Sequence, residues 1–431
     1  MKEYPIYLLP DELDVDEKVK EQILKDYERF GDKGLPDHVE EYILEKYKID
    51  VTAQYGPFTI KNPFGKSSGQ LSCNINQVKA DLESGIGFVV LKTVIAQDES
   101  EHSNMAEWKV KAPKMVVEEI LSKKGQKGYT VTWKGRGWDK SFQDYLKFME
   151  EALSLSKTSN IPVIPSCKYH LPNPGEAYNE KEYRFTTNSL LSIWQKVMGN
   201  VPMALEQDFS PTLSGSDINT DRQNILDWLI NVPRNIKKWC QKGDIVLGLK
   251  LMNALYDDDF QIEMLKSITS EECDADYAIT FNRLFDPNKV FEGKKGVAYG
   301  GWDLSDRNLR VLSAFRKWEY QNKTTVKDVP LSATGNINSG KLMIEYGLRG
   351  CCNGQMHTYF QLPQRNYRAR VGTRVQKVLH ELYFNPENGL VAVMEWLRAK
   401  KGVNSENGII KWREIYTFYR KQDIFKFFGK G

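Results

Sequence analysis

The sequence predicts an α/β protein: a (β/α)8 TIM barrel with an N-terminal helical extension and loops inserted over the mouth at the C-terminal ends of its strands. Three observations predict it. Eight short apolar runs recur after residue 51. Stretches with helical spacing of apolar residues separate them. At 431 residues the chain is long enough for one such barrel with insertions.

Residues 1–50 read differently from the rest. DVDEKVKEQILKDYERF and DHVEEYILEKYK space Val, Ile, Leu, Tyr and Phe at helical intervals among many charges, with GDKGLP between them. Two amphipathic helices packed on a larger body follow. Their acidic residues are as frequent as the basic ones, which does not suit a membrane anchor. The barrel domain spans 51–400. Its strand candidates are FTIKNPFGKSS (58–68), IGFVVLKTV (86–94), IPVIPSC (161–167), PMALEQ (202–207), DIVLGLKL (244–251), YAITFN (277–282), VPLSAT (329–334) and GCCNGQM (350–356). The gaps after the second and the sixth run are too long for simple crossovers. An insert at about 95–160 is expected over one mouth, with further added chain before the seventh strand. RVQKVLHELYF and LVAVMEWLRAKKG are helical and close the barrel, and 401–431 is left as a C-terminal tail.

Composition narrows the class. Hydrophobic residues make up 41% and charged residues 27%, which excludes a wholly disordered chain. Sixty basic against 57 acidic residues leave a net charge of +3, too small an excess to propose nucleic acid as the partner. MKEYPIYLLPDELDVDEK lacks the apolar segment of a signal peptide. The most apolar run, IGFVVLKTVIA, is shorter than the roughly 20 residues that span a bilayer, and it carries Lys92. A soluble cytoplasmic protein is expected. The six cysteines are scattered without C-x-x-C or iron–sulfur spacing, so free thiols and no metal are expected. Cys351 and Cys352 are neighbours in one strand and face opposite ways, which suits core packing better than a disulfide.

In a barrel of this kind the chemistry sits at the C-terminal strand ends. Two lysines stand out there, Lys92 and Lys250, each inside an apolar run. A buried ammonium is costly alone. Either each is turned outward or paired with a carboxylate, or both face an anionic or electron-rich ligand. The seventh and eighth runs end in Gly335-Asn336 and His357-Thr358, turns that can offer backbone N–H groups to a phosphate. The same residues also serve as ordinary turns.

Lys61-Asn62-Pro63-Phe64-Gly65-Lys66-Ser67-Ser68-Gly69 is similar to the N-P-F-x-x-A-S-G opening of the dihydroorotate dehydrogenases and of the related domain of dihydropyrimidine dehydrogenases, and further segments resemble theirs in the same order. Glu83-Ser84-Gly85-Ile86-Gly87-Phe88-Val89-Val90-Leu91-Lys92-Thr93 resembles E-S-G-x-G-x-V-V-x-K-T. Tyr299-Gly300-Gly301-Trp302-Asp303-Leu304-Ser305 resembles G-G-L-S-G, and Ala333-Thr334-Gly335-Asn336-Ile337-Asn338-Ser339-Gly340 resembles G-V-G-G-I-x-S-G. The order holds from about 55 to 362.

The resemblance implies a flavin mononucleotide (FMN) cofactor and interconversion of a C–C and a C=C bond beside a carbonyl. It implies that Ser67, Ser68, Gly69, Lys92 and Thr93 lie against the flavin ring, and that Lys250 stabilises the reduced, anionic ring. Gly300, Gly301, Gly335, Asn336, His357 and Thr358 would hold the phosphate, with His357 standing where the family usually has Gly. Asn282 would contact cofactor and substrate. The family base lies after the fourth strand in N-x-S-[CS]-P-N. Here Gln207-Asp208-Phe209-Ser210-Pro211-Thr212 puts Ser210 at that position, where a water or hydroxyl relay must help it. A Ser-Pro turn without catalysis is the other reading.

Gln207 and Thr212 replace the asparagines that flank the base in the family, and Arg283 stands where a small hydroxyl residue is common. Asn104 is the nearest counterpart of the substrate motif after the second strand. Each lost polar partner costs affinity, so the resemblance implies a dihydroorotate- or dihydropyrimidine-like substrate without singling out orotate. Quinone, fumarate and a separate redox protein all remain open as electron acceptor. Cytosolic relatives dimerise, although no interface is legible here. Two other readings stand beside this one: a flavin-free barrel that binds a phosphorylated small molecule as lyase, isomerase or sensor, and an interaction protein working through its extensions. Arg365, Arg368, Arg370 and Arg374 follow the last strand and suit a solvated basic face, or else the neutralisation of phosphate or of an acidic partner.

Overall fold

The computed structural model describes residues 5–106, 114–134, 137–209, 222–291, 293–322, 326–403 and 406–429. Its centre is a ring of eight strands. In chain order they are Phe64–Lys66, the segments Phe88–Val90 and Val94–Ile95, the segments Val163–Ile164 and Ser166–Lys168, Met203–Asp208, Ile245–Met252, Tyr277–Asn282, Leu331–Thr334 and Cys351–Met356. Every neighbouring pair is parallel. The first strand pairs with both the second and the eighth, through Gly65↔Phe88 and Gly354↔Phe64, so the ring closes. Pro165, which has no N–H to give, divides the third strand; its carbonyl still accepts from the Glu206 amide at 3.0 Å.

All eight predicted runs contain a barrel strand. The first run differs in detail. Pro63 splits it into a short hairpin strand, Phe58–Ile60, and the barrel strand that starts at Phe64. The Asn62 side chain accepts from the Phe64 amide at 3.1 Å and sets that break. The hairpin Ala53–Tyr55/Phe58–Ile60 plugs the bottom of the barrel. There Tyr55 packs on Phe88 and Tyr277 with ring centroids 4.3 and 5.3 Å apart. Glycines make the room: a Cβ on Gly65 would lie 2.1 Å from the Phe88 ring, and one on Gly248 2.0 Å from Tyr277.

Helices cover the outside. Ile75–Glu83, Phe142–Ser159, Glu180–Met198, Arg222–Lys237, Asp258–Ile268, Trp302–Gln321 and Gly340–Leu348 each lie between successive strands, and Arg374–Phe384 follows the eighth. Polar caps fix their starts, for example Ser141 accepting from the Asp144 amide at 3.0 Å and Ser339 from Leu342 at 3.1 Å. The insert expected at 95–160 is shorter than that, because Phe142–Ser159 is a barrel helix. What is added after the second strand includes an antiparallel hairpin, Lys114–Leu121 with Lys127–Lys134. A second hairpin, Leu284–Phe291 with Lys294–Tyr299, fills the long gap before the seventh strand.

The extensions are part of the body. Helices Glu17–Lys33 and Val39–Tyr47 form as expected and pack on Arg374–Phe384 and Leu390–Lys401. Ile49–Asp50 pairs in parallel with Ile410–Lys411, which joins the N-terminal extension to the tail. In the tail Trp412 is buried and donates to the Cys352 carbonyl at 2.7 Å. All six cysteines are free. Among the described residues no helix is long and apolar enough to cross a membrane, and no cluster of metal-ligating side chains occurs.

Candidate functional site

Strand alternation decides which side chains face the barrel interior. Glu206 on the fourth strand, Lys250 on the fifth and Gln355 on the eighth meet there, at 3.0 Å for Lys250–Glu206, 3.2 Å for Lys250–Gln355 and 2.5 Å for Gln355–Glu206. Tyr55 donates to the same carboxylate from below at 3.2 Å. Glu206 is 0% exposed and Lys250 4%, so the ammonium is both buried and paired. Of the two sequence readings of Lys250, carboxylate pairing is therefore realised. An ammonium carries three donors, and Glu206 and Gln355 take two of them.

One step up each strand, toward the mouth, the same alternation turns Lys168 and Asp208 inward. Cys167 stands opposite Gln207 in the register, so Lys168 and Asp208 are neighbours at the ends of the third and fourth strands. Lys92 shares this layer. Burial pulls its pKa down to about 8, with the charges of Cys73, Asp208 and Asp139 opposing the fall and Lys250 adding to it. Beside it a chain of hydroxyls crosses the first three strand ends: Ser68 to Thr93 at 2.6 Å and Thr93 to Ser166 at 3.0 Å.

On the far side of the mouth lie His357 and Arg283. The Gln361 side-chain amide donates to His357 Nδ1 at 2.9 Å, which places the proton of the neutral ring on Nε2. That edge faces Gly69, where an added Cβ would lie 2.5 Å from Nε2. The imidazole is held well below its usual pKa, first by burial and then by the positive charges of Arg283, Lys66, Lys92 and Lys250. Arg283 adopts a left-handed backbone, with φ 34°, and donates to the Ala298 carbonyl at 2.9 Å. Burial lowers its pKa to about 9. Lys66 points outward instead. It pairs with Asp81 of helix Ile75–Glu83 at 2.6 Å and lies 4.4 Å from the Phe360 ring centre. Burial draws both partners toward their neutral forms, Lys66 down and Asp81 up.

The structure thus brings Ser68, Gly69, Lys92, Thr93, Lys250, Arg283 and His357 to one mouth, with Ser67 at the end of the first strand, its amide on the Met356 carbonyl at 2.9 Å. Asn282 ends the sixth strand, and its carbonyl accepts from Asn253 at 3.0 Å. Gly335, with φ 110°, and Asn336, with φ 54°, form a left-handed turn after the seventh strand, and Thr358 opens a short 3-10 turn after the eighth.

Other candidates are placed elsewhere. The Gln207 side chain is turned out of the barrel and accepts from the Tyr169 amide at 3.4 Å. Asn104 is taken up by Glu182 and Asn179, at 3.0 and 2.8 Å. The Gly300 amide donates to Thr130 of the inserted hairpin at 2.9 Å, and the same hairpin covers Gly301, where a Cβ would meet Ile120 at 2.6 Å. Ser210 and Thr212 lie outside the described residues. No family model and no curated protein matches the chain.

Sequence reasoning missed Glu206, Gln355, Tyr55, Lys168 and Asp208 as site residues. The spacing held a usable signal for two of them: Glu206 and Asp208 are two apart and share a face, with Gln207 on the other. Chemically, the mouth offers cations around a neutral N–H donor and a run of hydroxyls. It suits an anionic ligand with a polar ring.

Proposed function

We propose that the chain is an FMN-dependent oxidoreductase acting on a dihydroorotate- or dihydropyrimidine-like ring in the cytoplasm, within pyrimidine metabolism. The observation that carries this reading is a mouth that gathers the buried Lys92, the partly buried Arg283 and a His357 held neutral, beside the joined hydroxyls of Ser68 and Thr93. These residues fit the group. Lys92 and Lys250 supply positive charge to an electron-rich ring, Ser68 and Thr93 supply hydroxyls, and the Gly335–Asn336 turn with Thr358 supplies a cradle for the phosphate. Gly300 and Gly301 take no part in that cradle while the hairpin holds them.

FMN held there would supply a hydride acceptor for one carbon of the substrate ring. The chain's own tasks are to orient and to move a proton. Glu206 and Gln355 fix the Lys250 ammonium so that its charge meets the ring without reorganisation. Ser210 takes the proton from the neighbouring ring carbon, through a water or hydroxyl relay. Asn282, Asp208 and Lys168, at the ends of the sixth, fourth and third strands, would be the polar contacts to the substrate.

Lys250 is held by Glu206 and Gln355 from within the barrel, an arrangement that also suits a flavin-free barrel binding a phosphorylated small molecule. One experiment separates the two readings. The purified protein is reconstituted with FMN, its absorption spectrum is recorded, and dihydroorotate and dihydrouracil are added without oxygen. Flavin bands that bleach with either compound support the proposal. Retention of a phosphorylated metabolite with no flavin bands after reconstitution would replace it by the second reading.

A further inference from the structure

We propose that the arginine-rich segment after the eighth strand is the docking surface for an acidic, one-electron carrier protein that removes electrons from this site. The inference rests on the oxidoreductase reading and supplies the acceptor that it leaves open. Between Gln361 and Lys377 the chain carries Arg365, Arg368, Arg370, Arg374 and Lys377 and no Asp or Glu, in a protein whose net charge is only +3. Arg368 is spoken for, paired with Asp32 at 2.9 Å. Arg365, Arg370 and Arg374 are exposed, as is Lys33 beside them.

Three features set this segment apart from a solvated basic face. First, it is rigid. Gln364 bonds the Ala369 carbonyl at 3.0 Å, the Arg368 amide meets Glu381 at 2.6 Å, and the Arg370 amide meets the Gly31 carbonyl at 2.8 Å. A preorganised surface loses little freedom on docking. Second, Arg374 stands in the first turn of helix Arg374–Phe384, and that turn contains no acidic residue. Cations are unfavourable at that end, where the helix presents its positive pole; the Arg374 guanidinium is held there by the Phe360 and Leu362 carbonyls, at 3.5 and 3.3 Å, and adds its charge to the exposed surface. Third, Val371, between Arg370 and Arg374 in the chain, is an apolar side chain that is 41% exposed. That is the composition of a small interface centre with a charged rim.

Position ties the surface to the mouth. The segment follows His357 directly. Phe360 lies under Lys66 at the end of the first strand, and Asn366 bonds Tyr129 of the inserted hairpin at 3.1 Å. A carrier seated there abuts the rim where the ring chemistry occurs. The balance is simple. Oxidising one dihydro ring to its C=C form releases two electrons and two protons; two oxidised carriers take one electron each, and the protons pass to solvent. An acidic protein suits the patch better than nucleic acid, because the cations form one compact cluster rather than a track.

The test uses the full-length protein with a plant-type [2Fe–2S] ferredoxin as the acidic carrier and cytochrome c as the basic control. Binding is read by fluorescence anisotropy as salt is raised, and electron transfer from the dihydro substrate is read separately with ferricyanide. Ferredoxin is expected to bind, to weaken about tenfold or more between low and physiological salt, and to weaken about as much again in the Arg365→Glu/Arg370→Glu variant. Ferricyanide reduction is expected to stay unchanged in that variant, and cytochrome c to gain affinity. Ferredoxin binding that ignores both salt and the substitutions would overturn the proposal. So would capture by phosphatidylserine vesicles, lost in the same variant, with no ferredoxin binding. Absent ferricyanide reduction with salt- and arginine-dependent ferredoxin binding would instead remove the dehydrogenase reading and leave the docking surface standing.

Discussion

Lys92 governs how the mouth should respond to pH. Its folded pKa is about 8 against an ordinary 10.5. Between those values the unfolded chain holds a proton that the folded chain does not. Stability from this group therefore rises with pH from about 8 to 10.5 and is flat below 8. An anionic ligand reverses the bias by favouring the charged form. Binding of such a ligand is expected to take up a proton above pH 8, and its affinity to fall as pH climbs through that window. Calorimetry in buffers of different ionisation heat measures the uptake, and Lys92→Met should abolish both effects. A second residue-scale prediction concerns Glu206. Replacing it with Gln strands the Lys250 ammonium, which is expected to cost about 3–5 kcal/mol in urea unfolding, as breaking one side of a buried pair does. The double variant Glu206→Gln/Lys250→Met should recover much of that loss. Several of the side chains gathered at the mouth were legible at this scale, because they stand at the ends of barrel strands. Gln207 misled because its type matched the expected amide, whereas the pleat gave the inward position to Asp208.

At the scale of elements, glycines and the inserted hairpin decide the shape of the mouth. Gly69→Ala would set a methyl 2.5 Å from His357 Nε2 and push the ring aside. The variant is expected to keep its fold and to lose affinity for FMN by at least about tenfold, since an off-rotamer shift near 1–3 kcal/mol falls on the site. Thr130→Val removes the acceptor of the Gly300 amide. It is expected to loosen the hairpin, read as faster amide exchange over 127–134 and at Gly300, with little change at the barrel strands. The eight strands could be read from the sequence because parallel strands buried on both faces appear as continuous apolar runs. The extent of the insert could not, because Phe142–Ser159 has the same helical period whether it belongs to a subdomain or to the barrel.

At the scale of the whole molecule, the extensions are bound into the barrel rather than appended to it. The Leu8 and Leu9 amides meet the Glu345 carboxylate at 2.8 and 2.7 Å, and Arg349, fully buried, bridges Glu345 at 2.7 Å and the Ile6 carbonyl at 2.7 Å. Deleting residues 1–16 is expected to strip partners from both buried charges and to lower the melting temperature by several degrees, with circular dichroism and tryptophan fluorescence falling together. This dependence was invisible in the sequence, since it joins residues more than 300 positions apart.

The measurement that tests the central claim most directly is an equilibrium titration of FMN into the protein, followed by flavin fluorescence, beside Lys92→Met and with riboflavin as the phosphate-free control. The account predicts tight, quenching FMN binding, weaker riboflavin binding, and a loss of affinity of at least about tenfold in Lys92→Met, the scale of one charge-assisted contact. Equal, weak binding of FMN and riboflavin that Lys92→Met leaves unchanged would contradict it.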